Sequence, residues 1–235
     1  MAHRKKKGRI GLLVKLAFLL ALLGAGGWLY LQHENAGWRP DEEAYPDQGA
    51  LVGENDGAVD FKVLKGLGAS FVYLEASRGA RGKDANFSRN LEAARIAGLQ
   101  VGAVHLFDPC ETADGQSANY VTIVPRDADL LPPAIRLTRT TDECFERVSD
   151  AAVQSELLTL VNQIEAHTGA PVVLAPSEVF EDRYRPARRL ERALWLDGDR
   201  SEPEYAGRPW TVWTANSGYR SDAAETPLRW LAVRP

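Results

Sequence analysis

Cysteine is scarce in this chain: 235 residues contain only Cys110 and Cys144. They do not form a Cys-x-x-Cys pair, and no Cys/His spacing suits a metal, so the expectation is no metal and no cofactor. A Gly-x-Gly-x-x-Gly run after the first strand is also missing, which disfavours a dinucleotide-binding fold. Acidic charge is missing from the first fifteen residues, where Arg4, Lys5, Lys6, Lys7, Arg9 and Lys15 sit. Overall 28 Lys and Arg face 32 Asp and Glu, so the remainder is more acidic than the net charge of −4 suggests. Nothing in that balance points to nucleic acid. The two cysteines leave two readings open, one disulfide in an exported domain or two free thiols. The disulfide needs their Cα atoms within about 7 Å.

Charge is also missing from Leu12 to Leu31, apart from Lys15 near one end. About 20 apolar residues span a bilayer core. The run is apolar on every face, which argues against a buried core helix. The Lys/Arg cluster ahead of it predicts a cytoplasmic N-terminus, and Trp28 and Tyr30 suit the far interface. A cleaved signal peptide is the rival reading, but it has a shorter apolar core and an Ala-x-Ala site, which is missing here. The expected organisation is a basic tail and transmembrane anchor over 1–36, a linker over 37–48 with Pro40 and Pro46, and a folded domain over 49–235. That topology puts the domain in the periplasm or outside the cell.

The folded part alternates. Ala50 to Val52 reads as a strand, and Asp60 caps a helix through Lys65. Ser70 to Glu75 is a second strand, followed by a helix from Phe87 to Ala97 capped by Asn86 and stopped at Gly98. Gln100 to Phe107 and Leu130 to Leu137 read as strands flanking a helix over 113–124. Val153, Leu157, Leu160, Val161 and Ile164 mark the apolar face of the longest helix, about 149–168, ended by Gly169. Pro171 opens a fifth strand. Ala193 to Leu196, Trp210 to Trp213 and Leu228 to Val233 then follow without full helices between them. Five strand–helix units and three further strands predict an α/β fold, a modified TIM-like barrel closed by eight strands.

In such a barrel chemistry sits at the C-terminal ends of the strands. The fourth strand, after Pro132-Pro133, ends in Arg136-Leu137-Thr138 and carries no carboxylate.

Several runs resemble glycoside hydrolase family 25, the muramidase lysozymes. They are Phe71-Val72-Tyr73-Leu74-Glu75-Ala76-Ser77-Arg78-Gly79, Lys83-Asp84-Ala85-Asn86-Phe87, Asn90, Ala93-Ala94, Ala97-Gly98-Leu99 and Val101-Gly102-Ala103-Val104-His105. Pro132-Pro133, Leu194-Trp195-Leu196, Trp210-Thr211-Val212-Trp213 and Ser217-Gly218 keep the family order. The resemblance covers Gly49 to the C-terminus and implies a barrel of five strand–helix units plus three strands. It also implies cleavage of the β-1,4 bond after N-acetylmuramic acid in peptidoglycan.

A glycosidase needs one carboxylic acid to protonate the leaving oxygen, and usually a second carboxylate at the anomeric side. In this family the sugar's acetamido group is implied as the nucleophile, with an acid assisting it. Here the family's first-strand aspartate is matched by Leu51, and its Asp-x-Glu by Arg136 and Thr138. Its late aspartate falls on Pro227, its fifth-strand tyrosine on Leu174, and the lysine and glutamate ending its second strand on Glu75 and Arg78. Arginine stays protonated and threonine is too weak an acid, so neither replaces the missing pair. Losing general acid–base catalysis removes roughly 10²–10⁴-fold in rate.

Other residues carry two readings each. His105, Trp195 and Trp213 either touch a sugar or pack in the interior. Glu75 and Asp197 are either recruited acids or solvated and salt-bridged. Arg136 is expected to pair with Glu75 across the mouth. Asp84 reads as a turn residue supporting the helix at Phe87. The cluster Arg185, Arg188, Arg189 and Arg192 either meets an anionic surface or lies in a solvated loop.

Three functions stay open. The first is a membrane-anchored muramidase-like domain that binds peptidoglycan, another envelope glycan or a protein partner without cutting. The second is an active muramidase with relocated carboxylates, and the third a non-enzymatic envelope scaffold.

Overall fold

The computed structural model describes residues 36–235 together with Lys15, 18–24 and 26–27. Most of the expected anchor lies outside the described residues. Among them, no helix is long and apolar enough to cross a membrane.

Residues Arg39–Pro235 form one compact unit around an eight-stranded barrel. The elements are β1 (Gln48–Val52), α1 (Phe61–Gly66), β2 (Ala69–Arg78), β3 (Gly82–Lys83), α2 (Phe87–Ile96), β4 (Gln100–Leu106), α3 (Ala113–Ile123), β5 (Ala134–Leu137), α4 (Asp150–Thr168), β6 (Val173–Pro176), α5 (Glu178–Tyr184), α6 (Pro186–Arg189), β7 (Ala193–Asp197), β8 (Val212–Tyr219) and β9 (Leu228–Val233). Strands β1, β2 and β4–β8 run parallel. β9 runs antiparallel between β8 and β1 and closes the sheet, while β3 is a short hairpin arm on β2.

Local chemistry explains the element ends. Asp60 Oδ1 accepts from the Lys62 and Val63 amides and starts α1. Ser149 caps α4, and Gly169 ends it with φ 73°, a left-handed conformation that costs glycine little. All five residues of the apolar face read for α4 are buried. Asn86 makes no side-chain cap at α2; Asp84 accepts its amide instead, at 2.7 Å. The fourth strand begins at Ala134 rather than Leu130, because Pro132 and Pro133 bring no amide hydrogen to the ladder.

The segment expected as a linker lies against the barrel from Arg39 onward. Gln48 Nε2 donates to the carbonyls of Pro40 and Tyr45, and the Tyr45 ring packs edge-on against Trp213 at 5.6 Å.

The barrel interior is a cluster of Leu51, Phe71, Tyr73, Val104, Ala134, Val173, Ala175, Trp195, Val212 and Leu231. Gly102 makes room for it, since a Cβ there would stand 2.2 Å from the Tyr73 ring.

Candidate active site

Side chains alternate along a strand, so the residues two steps from this interior cluster also face inward. Toward the C-terminal ends those are Gly53, Glu75, Leu106, Arg136, Asp197 and, on antiparallel β9, Arg229. This ring forms the mouth of the barrel.

Its centre is an ion pair that differs from the one expected. Arg136 Nη2 donates to Asp197 Oδ2 at 3.1 Å, so Arg136 hydrogen-bonds Asp197, two strands away over β6, and not Glu75. The Arg136 side chain is 7% exposed and that of Asp197 40%. The guanidinium lies over the Trp195 ring, 5.4 Å from its centroid. Arg136 Nη1 and Asp197 Oδ1 are buried without a hydrogen-bond partner.

Glu75 lies beside Gly53, where a Cβ would come within 2.7 Å of its carboxylate. Burial raises the Glu75 pKa, and the nearby Arg229, Arg136 and Arg78 oppose that shift. Asp56 accepts from the Gly53 amide at 2.7 Å, and burial raises its pKa too. A polar cavity of about 120 Å³ opens here between Glu54, Glu75, Arg78, Lys83 and Asp84. An apolar cavity of about 530 Å³ lies at the other end of the barrel, bordered by Asp47, Phe71, Tyr73 and Val212. Glu191 and Arg192 also line it, but it opens at the N-terminal ends of the strands, whereas the smaller, charged mouth lies at the C-terminal ends where barrel chemistry sits.

The structure places the remaining candidates away from this ring. Leu51 is interior core beneath it, and Thr138 is exposed just beyond the end of β5. His105 is fully buried. Val104 faces inward, so His105 faces outward toward α3. Its Nδ1 pairs with Ser77 Oγ at 2.8 Å and its Nε2 with Gln116 Oε1 at 3.1 Å. Gln116 Oε1 also accepts from the Asp108 amide, so we assign the imidazole proton to Nε2. The sugar contact expected of His105 is therefore replaced by a packing role.

Trp195 is buried in the barrel interior, donating from Nε1 to Thr214 Oγ1 at 2.7 Å. Trp213 is buried on the outer side of β8 and donates to the Gly198 carbonyl at 2.6 Å. Neither ring has an exposed face, so of the two readings held for them the burial favours packing in the interior over sugar stacking. Cys110 and Cys144 form a disulfide with Cα atoms 5.3 Å apart. No group of three or more metal-binding side chains occurs among the described residues. Arg229 and Asp56 were not singled out from the sequence. Arg229 was findable from the alternation in β9 once Leu231 is placed inside.

Burial lowers the His105 pKa from 6.5 to about 4, so the folded ring stays neutral where the unfolded one is protonated. The unfolded chain then binds the extra proton between those values. Stability is full above pH 6.5 and falls by roughly 3 kcal/mol as pH drops toward 4. Urea titrations of His105→Gln beside the unaltered chain should show this slope in their difference; parallel curves would refute it.

Family comparison is decisive for the fold and lineage. The sequence profile of glycosyl hydrolases family 25 matches residues 52–221. The chain belongs to glycosyl hydrolase family 25. Among solved structures, this family 25 barrel superposes on a family 25 glycosyl hydrolase from Bacillus anthracis with a TM-score of 0.76 at 21% identity, covering 85% of this chain and 93% of that one. The lysozyme from Streptomyces coelicolor gives 0.71 at 19% identity, covering 80% and 92%. In sequence, Lysozyme M1 of Streptomyces globisporus is 34% identical over 73 residues, 31% of this chain and 25% of that protein. The uncharacterized protein YegX of Escherichia coli O6:H1 is 22% identical over 164 residues, 69% of this chain. The family 25 chain spans 58% of the length of YegX.

Proposed function

We propose that this family 25 protein is a membrane-anchored peptidoglycan-binding domain whose barrel holds the glycan without efficient cleavage. The carrying observation is the Arg136–Asp197 ion pair at the mouth. It occupies the place where the fourth strand would present an acid, and it engages the one inward carboxylate of β7. Leu51 below it is core, and Thr138 beyond it cannot protonate a glycosidic oxygen. The anchor reading rests on the apolar run from Leu12 to Leu31 behind its basic tail, with the barrel outside the cytoplasm. The partner class is peptidoglycan or a related envelope glycan.

One observation favours the active reading. Burial holds the Glu75 carboxyl toward its protonated form, as a general acid requires. Incubating the full-length chain with purified sacculi decides between the two. The expected result is that the chain pellets with sacculi while mass spectrometry finds no released muropeptides. Released products that vanish in Glu75→Gln or Asp197→Asn would establish relocated catalysis instead. Neither products nor pelleting would favour the envelope scaffold.

A further inference from the structure

Large apolar side chains are exposed at few places in the barrel unit. Ile96, Val121 and Leu158 lie on the outer helices, whereas Phe145 and Val179 lie at the mouth end. Phe145 is fully exposed. It sits in the loop between β5 and α4, which leaves the barrel at the same end as Arg136. Val179, 66% exposed, is in the first turn of α5, which starts directly after β6.

The loop that carries Phe145 is tied down ahead of the ring, from Arg139 to Cys144, and again at Asp150. The disulfide joins its neighbour Cys144 to Cys110 in the loop after β4. Arg139 ties the same two loops together through Asp108 and bonds Glu143 at 3.1 Å. Arg183, one turn after Val179 on the same face of α5, binds Asp142 at 2.8 Å and Asp150 at 3.1 Å. Tyr184 Oη accepts from the Thr141 amide at 3.0 Å. The phenyl ring is thus presented to water directly after a covalently fixed residue, Cys144, which limits the backbone entropy lost on binding.

We propose that Phe145 is a stacking platform for a pyranose ring of the glycan strand beyond the mouth. This rests on the reading of the mouth as a peptidoglycan site. A pyranose offers a face of C–H groups to an aromatic ring and keeps its hydroxyls in water. A single exposed ring suits one sugar, and it falls far short of the several hundred Å² of apolar surface a protein interface uses. The charges next to the ring in sequence are balanced, Asp142 and Glu143 being paired with Arg183 and Arg139 and Glu146 standing beside Arg147, so no basic cluster favours an anionic membrane surface.

The test uses the full-length chain in mild detergent, with purified sacculi and with glycan strands stripped of their stem peptides. Phe145→Ala should weaken binding to both by about tenfold, the size of a truncated hot spot. Phe145→Trp should bind within about twofold of the unaltered chain. Thermal stability of Phe145→Ala should not move, because the ring touches no core. If the unaltered chain binds neither material, the functional reading fails and the platform with it. If it binds and Phe145→Ala binds equally well, only the platform is overturned. Weakening on intact sacculi but not on stripped strands would assign the ring to a stem peptide and overturn sugar stacking.

Discussion

Replacing Cys110 and Cys144 with serine is expected to lower the unfolding free energy by about 4 kcal/mol. The bond closes a loop with a sequence separation of 34 residues, and its loss frees that loop in the unfolded chain. The folded loops remain bridged by Arg139 to Asp108 and Glu143, but Arg139 is 38% exposed, so these pairs recover little. Urea unfolding of the Cys110→Ser/Cys144→Ser variant, and of the unaltered chain with and without reductant, measures the effect. The reduced chain should match the variant. A difference below about 1 kcal/mol would mean that the unfolded chain is already constrained across these loops by other contacts. The bond also has a functional consequence. It holds the loop that presents Phe145, so the variant should lose glycan binding beyond what its stability loss explains.

The order of strands and helices was legible because it rests on short-range chemistry. Asp60, Ser149 and Gly169 each act within a few residues of their own position, and the apolar spacing from Val153 to Ile164 directly marks the buried face of α4. Asn86 shows the limit of that reasoning. It has the right side chain for a cap, but Asp84 already binds the amide there. The mouth was legible as a set of residues and not as a set of contacts. Glu75, Arg136 and Asp197 could be placed at strand ends from the sequence. Which carboxylate reaches Arg136 depends on where the closed barrel puts β2 and β7 relative to β5, and local pattern carries no such information.

His105 and Trp213 were within reach of stricter alternation. Val104 and Val212 face the interior, so the neighbouring histidine and tryptophan must face outward. Gln116, which meets His105 from α3, carried no such signal, because its pairing is set by helix-to-barrel packing.

Asp197→Ala is expected to cost more than Arg136→Met, although both remove the same ion pair. The difference lies in what each leaves behind. Without Asp197, the Arg136 guanidinium stays 7% exposed over Trp195, and its Nη1 already has no partner. Stranding a buried charge costs about 3–5 kcal/mol. Glu75 lies close enough to Arg136 to attract it, which places the expected loss near the lower end, about 3 kcal/mol. Without Arg136, Asp197 still has Oδ1 buried without a partner, but its side chain is 40% exposed and can turn the carboxylate to water, so Arg136→Met should cost less, about 1 kcal/mol. Methionine also fills the space over Trp195 with an apolar, adaptable chain. The double variant should therefore be more stable than Asp197→Ala alone, since it removes the stranded charge along with its partner. Urea unfolding of the three variants closes this cycle. Equal losses for the two single variants would mean that Arg136 escapes to solvent when freed. The unequal result would show that the end of the fourth strand carries a charge the fold needs neutralised, which ties the mouth's ion pair to the stability of the barrel itself.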